Sequence, residues 1–329
     1  MRKTLKSIVF LLLSALPATA ACEGENLIAA LPDDQREALV STAHAKPFPV
    51  GNLWHAKKDG SDIYVQGTLH MPDARHEAQI EKLKPLIDAS DIVFFEANSE
   101  DLAKAQDAIA SQPELLFITD GPSLPELLTE DEWQLLSDQM TQRGIPAFLA
   151  SKFKPSYAMM TLSVPPCASE LLTGKAEGLD HLLMAYAEGE GIPTSGLEPY
   201  DTALTFFDQG EDETALDFLR TALAQADISA DMNVTLVDAY FEGEHSLIWE
   251  FSRLKSYETP GTTREEVTEM LTEVEELMIN GRNRNWMDVL LPAAEDASVV
   301  VAVGAAHLAG DEGVLNLLAE AGYTLTPME

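Results

Sequence analysis

The chain has 329 residues, 46% hydrophobic and 23% charged, which is enough apolar material for a sizeable core and excludes a disordered chain. Its 21 Lys and Arg face 55 Asp and Glu, a net charge of −34 that argues against nucleic acid and anionic membrane surfaces as partners, since phosphate contact needs clustered basic residues. So much acid reads as solubility rather than as a function of its own.

The first residues, MRKTLKSIVFLLLSALPATAAC, combine a basic start (Arg2, Lys3, Lys6), an apolar run from Ile8 to Leu16 and the small-x-small triplet Ala18-Thr19-Ala20. This pattern predicts a signal peptide over 1–20 and a mature chain exported to the periplasm or secreted. The run is shorter than the ~20 apolar residues of a spanning helix, and no later stretch is long enough, so no membrane span is expected in the mature chain. Two cysteines remain, Cys22 and Cys167. In an oxidising compartment they are expected to form a disulfide that pins the tail to the body. The rival reading, a lipid-modified Cys22, meets a "TAAC" without the large aliphatic residue normally found three positions upstream.

Strands are expected at Asp62–Thr68, Ile92–Glu96, Pro193–Leu197 and Val299–Val303, the last a continuous apolar run typical of a buried central strand. "TEDEWQLLSDQMTQRG" reads as a helix opened by a Thr129/Glu132 capping box and closed by Gly144. "REEVTEMLTEVEELMING" places Val267, Met270, Leu271, Val274 and Leu277 on one helical face before an expected stop at Gly281. The expected fold is α/β: a central, largely parallel sheet flanked by helices, built from two pseudo-repeated halves. It is expected to form one domain over 21–329 with a helical insertion at about 205–291.

The repeat is local and specific. "SDIYVQGTLH" runs from a strand through Gly67 to His70, followed by a helix that Asp73 is placed to cap; "SVVVAVGAAHLAGDEG" runs from a strand through Gly304 to His307, followed by a helix that Asp311 is expected to cap. Each histidine falls just beyond a strand's carboxyl end, the edge where open α/β sheets hold ligands, and both following helices are expected to aim their positive ends there. "DIVFFEAN" brings Glu96 and "IPTSGLEP" brings Glu198 to the same edge, where a carboxylate is costly unless paired, hydrogen-bonded or bound to metal. A single strand-end histidine is more often a hydrogen-bonding residue than a ligand. Two of them with Glu96 make a ligand set for a divalent metal ion such as Mn, Co or Zn. His55, His181 and His245 lack a partner pattern, His76 is expected at the surface, the methionines of "YAMMTL" in the core, and the Asn233-Val-Thr sequon is of a kind frequent by chance.

These motifs together, "GTLH", "GAAH", the strand-end "FFEAN" and a "GRNRNW" ahead of the last expected strand, resemble the TraB/GumN family, which includes the TIKI proteins, from about Asn52 to Gly322. The resemblance implies a metal-dependent hydrolase, with peptidase activity attributed to the TIKI branch, on a fold similar to erythromycin esterase and the haem-handling ChaN-like proteins. It assigns the metal to His70, His307 and Glu96, with Glu96 as ligand or general base, and the family's arginine to Arg282, followed by Asn283. The "RNRN" repeat offers Arg284 as well; Arg282 is preferred because Asn283 and Trp286 then fall where the pattern puts them. The expectation is an exported hydrolase acting on a peptide or other small envelope substrate, with Arg282 stabilising an oxyanion. The alternative is a non-catalytic periplasmic protein that binds haem, metal or an envelope component.

Overall fold

The computed structural model describes residues 22–174, 176–202, 213–259 and 261–328; the expected signal peptide lies outside them. Six strands, β1 (Leu53–Lys58), β2 (Ser61–Thr68), β3 (Ile92–Phe95), β4 (Thr194–Gly196), β5 (Ser298–Gly304) and β6 (Thr324–Pro327), form one mixed sheet in the order β4-β3-β5-β2-β1-β6. β2 and β3 flank β5 in parallel, β4 lies parallel to β3, and β1 runs antiparallel to both β2 and β6.

The apolar run of β5 is explained by cover on both faces. Val299, Val301 and Val303 pack with Trp54, Ile63, Val65, Trp286 and Leu315, while Val300 and Ala302 pack with Leu83, Ile87, Leu183 and Tyr240. A strand buried on both sides has no polar face to alternate with. β1 and β6 were not among the expected strands. β1 buries only Trp54 and Ala56, β6 is mostly exposed, and the hairpin signal between β1 and β2, Asp59-Gly60 with Gly60 at φ +74, went unused.

Helical segments fill both the β3–β4 and the β4–β5 connections. Thr129 and Glu132 form the expected capping box at the head of Glu130–Gln142. A separate apolar cluster of Leu124, Leu136, Met140, Phe153, Leu162 and Leu219 joins helices from the two connections. Met159 borders this cluster, but Met160 is exposed, so only half of the expectation for that pair holds. Cys22 and Cys167 are disulfide-bonded, with Cα atoms 5.3 Å apart, so the tail is pinned as expected. No helix among the described residues is long and apolar enough to cross a membrane.

Three local expectations need correction. Gly281 does not end its helix: Arg264–Glu275 continues through a π-helical turn, Glu276–Asn280, into Gly281–Ala293, with Gly281 itself at right-handed helical angles (φ −61, ψ −40). The helices after the two histidines start late, at His76 and Val314, and neither has a side-chain cap; Asp73 accepts instead from the Arg75 N–H, and Asp311 offers only its main-chain carbonyl, to Asn316. The histidines therefore sit in connections, not at helix N-termini. His76 is buried, not at the surface, with its ring bonded to Met71 O and Gln79 and packed against Tyr240 and Phe241.

Candidate functional site

Because β2, β3, β4 and β5 are mutually parallel, their carboxyl ends open on one edge, and the residues that follow them meet there. His70 follows β2, Glu96 follows β3, Glu198 follows β4 and His307 follows β5 in a single 3₁₀ turn, Ala305–His307. Gly304 marks the centre. A Cβ built on it would stand 3.2 Å from Glu96 Oε1, 3.6 Å from His307 Cδ2 and 4.0 Å from His70 Nε2. A larger residue would fill the space the three side chains share, which gives the second motif glycine its physical reason. Gly67 does the same on the neighbouring strand: a Cβ there would press on Leu308 and Ala305, the turn that carries His307.

Arg282, from the Gly281–Ala293 helix, closes the site. Its guanidinium binds Glu198 through two parallel bonds (Nε to Oε2, 2.8 Å; Nη2 to Oε1, 2.7 Å), reaches Glu96 Oε2 at 2.6 Å and lies 3.4 Å from His307 Nε2. Such a fork to carboxylate is the strongest arrangement an arginine makes. The Trp286 indole N–H donates to Glu198 Oε2 at 2.9 Å, and its ring packs on His307, centroids 4.4 Å apart. Arg284, the other register, points to the surface and pairs with Glu276 and Glu312.

Each imidazole is held from behind. His307 Nδ1 bonds the Asn283 side-chain oxygen at 2.6 Å, and Asn283, fully buried, also ties the His307 and Glu312 carbonyls. His70 Nδ1 lies 3.1 Å from Asp180, whose other oxygen pairs with His181 at 2.9 Å. Both rings thus turn their Nε2 atoms toward the shared space. Gly178 makes this possible on the His70 side, since any Cβ there would stand 2.4 Å from the His70 backbone. Asp180, His181 and Gly178 were not expected at the site: "EGLDHLL" follows no strand, and only the Asp-His adjacency marks it.

Electrostatics sort three of these groups. Burial pushes the Glu96 carboxyl up, but His307, Arg282 and His70 and the Gly304 N–H outweigh it and hold it at about 2. Burial, with Arg282 and His70 beside it, depresses His307 to about 4 against the pull of Glu96. Desolvation lowers His70 too, yet the Asp180 carboxylate and Glu96 raise it to about 9. At neutral pH the protein alone therefore carries an ionised Glu96, a neutral His307 and a charged His70.

Among the described residues, no three His, Cys, Asp or Glu side chains stand in coordination geometry. The donor chemistry nevertheless fits a divalent cation: both rings have Nδ1 close to an oxygen, the usual support behind a ligating histidine, and Glu96 and Glu198 share the one guanidinium of Arg282.

A parallel-stranded α/β sheet whose carboxyl edge gathers two histidines, two glutamates and an arginine defines the class: an α/β protein with a polar strand-end centre. Within that class the chain belongs to the TraB/PrgY/gumN family, whose model matches residues 52–327. No curated protein matches the chain.

Proposed function

We propose that the protein is an exported metal-dependent hydrolase acting on a peptide or other small envelope substrate. The observation that carries this reading is the meeting of His70 Nε2, the His307 ring and Glu96 Oε1 around one backbone point, Gly304. In this reading His70, His307 and Glu96 hold a divalent ion such as Mn, Co or Zn, which when bound supplies Lewis acidity toward water and a carbonyl. A carboxylate held at about 2 is a poor proton acceptor at neutral pH, so Glu96 is assigned ligation rather than general-base work. Asn283 and Asp180 fix the two rings. Arg282 keeps a positive charge beside the reacting oxygen, where developing negative charge is stabilised. The disulfide and the basic-apolar-small N-terminus support export. A kinship of fold with erythromycin esterase and ChaN-like proteins, and descent of the two strand–Gly-x-x-His units from one repeat, belong to the same proposal.

The test is metal retention and turnover. Protein loaded with Mn, Co or Zn and desalted is expected to keep the ion and hydrolyse members of a mixed peptide library; the His70→Ala/His307→Ala double variant is expected to lose both. No retained ion at any loading, or unchanged retention in the double variant, overturns the reading. Retention without turnover of any peptide would favour the binding protein.

A further inference from the structure

Gly67, the first glycine of the repeated motif, is buried where the sheet runs out beside it. Its N–H donates to the Asn52 carbonyl at 2.7 Å. An antiparallel pair normally exchanges two bonds, but among the described residues the Asn52 N–H returns none, and the chain just before it has turned away, Gly51 bonding the Gly243 carbonyl instead. A buried carbonyl left in this way needs another donor. The Tyr240 hydroxyl supplies it, donating to Gly67 O at 2.9 Å, with the Gln66 side-chain amide reaching the same oxygen.

Tyr240 is itself held from two sides. It is fully buried; its hydroxyl accepts from Gln79 Nε2 at 3.1 Å, the Asn52 side-chain amide donates to its carbonyl at 2.6 Å, and it shares an apolar cluster with Val300, Ala302 and Ala305. The helix that carries it, Ser229–Phe241, is bonded along another face to the N-terminal tail: the Glu25 N–H donates to Asp231 at 2.8 Å, the Leu27 N–H to Thr235 Oγ1 at 2.8 Å and the Asn26 side-chain amide to Asp238 at 3.1 Å. Positions 231, 235 and 238 form one stripe of a helix, and 240 faces away from it. The tail in turn is fixed by the Cys22–Cys167 disulfide.

Both histidines depend on the peptide this hydroxyl holds. His70 lies three residues past Gly67, and the Cβ that Gly67 lacks would press on Ala305 and Leu308, which bracket His307. A shift of Gly67 therefore reaches one imidazole along the chain and the other by contact. We propose that Tyr240 is a positioning residue of the strand-end centre, acting through Gly67, and that the tail holds it there through the outer face of its helix. Its consequence for metal binding and turnover rests on the hydrolase reading; the ordering of residues 67–70 does not.

Tyr240→Phe keeps the ring and removes the hydroxyl. Hydrogen exchange read by mass spectrometry on chelator-treated protein is expected to show the amides of 67–70 exchanging at least fivefold faster, with an unchanged circular dichroism spectrum. Calorimetry with Mn or Co is expected to show at least threefold weaker binding. Val237→Ala loosens buried packing on the same helix without touching the hydroxyl, and is expected to leave both readouts within about twofold of wild type. Thr235→Val, which cuts a tail bond, is expected to speed exchange at 67–70 in the wild type and to add nothing to Tyr240→Phe. Unchanged exchange in Tyr240→Phe, equal acceleration by Val237→Ala, or additive effects of Thr235→Val and Tyr240→Phe overturns the proposal, as does a wild type that binds Mn or Co no more tightly than Tyr240→Phe. Faster exchange at 67–70 in a protein that binds neither ion removes the hydrolase reading and leaves the positioning role of Tyr240 standing.

Discussion

His245 should make the stability of the protein fall steeply in mild acid. In the folded chain burial holds its imidazole at about 4, against the weaker upward pull of the Phe48 carbonyl and the Glu244 charge, while in the unfolded chain it titrates near 6.5. Between those values the unfolded state binds the proton and the folded state does not, so stability is full above the unfolded pKa and declines as pH falls toward the folded one. At about pH 5 the unfolded histidine is almost wholly charged and the folded one almost wholly neutral; the difference amounts to about 2 kcal/mol relative to about pH 8. Other carboxylates and His307 also contribute to acid sensitivity, so the quantity to measure is a difference. Urea denaturation of the wild type and of His245→Gln, whose amide can still donate to Phe48, at both pH values is expected to show the wild type losing about 2 kcal/mol more than the variant. Parallel stability–pH curves for the two proteins would refute the reasoning.

Replacing Arg282 by Met leaves the Glu96 and Glu198 carboxylates facing each other without their shared cation, and urea denaturation is expected to show a loss of about 3–5 kcal/mol; a loss below about 1 kcal/mol contradicts it. Gly178→Ala pushes a methyl group into the His70 backbone, so calorimetry with Mn or Co is expected to show at least tenfold weaker binding while circular dichroism keeps its helical signal; unchanged metal affinity sinks this account of Gly178. Changing Cys22 and Cys167 to Ser removes a cross-link spanning 145 residues, for which the chain-entropy estimate is about 5 kcal/mol, and a denaturation midpoint that does not move would show that the tail contributes nothing.

The sequence disclosed the site's frame better than its supports. Strand ends can be read locally, since a run such as Val299–Val303 followed by a glycine announces its own termination, and parallel pairing then brings His70, Glu96, Glu198 and His307 to one edge. What holds those residues is not local. Asp180 arrives from a helix between β3 and β4, and Gly178 matters only because another backbone crosses it. His76 misled for a related reason: its ring is held by a main-chain carbonyl, Met71 O, and a carbonyl leaves no trace in residue types. The edge strand β6 escaped because it is mostly exposed, and β1 because its alternation buries only two residues, Trp54 and Ala56.

Sheet order separates two glutamates that the sequence presents alike. Both follow a parallel strand, and both meet Arg282. But β4 is an edge strand, and Glu198, just past its end, accepts two bonds from Arg282 and one from Trp286. It fixes where the guanidinium points. β3 adjoins β5, which in turn adjoins β2, so the order across the edge is Glu96, His307, His70. Glu96 spends one oxygen on the Gly304 N–H and the other on Arg282, and keeps lone pairs toward the histidines, with His307 Nε2 3.9 Å from its Oε1. Position in the sheet, not residue type, therefore makes Glu198 the anchor and leaves Glu96 as the carboxylate with capacity to engage whatever the two imidazoles face.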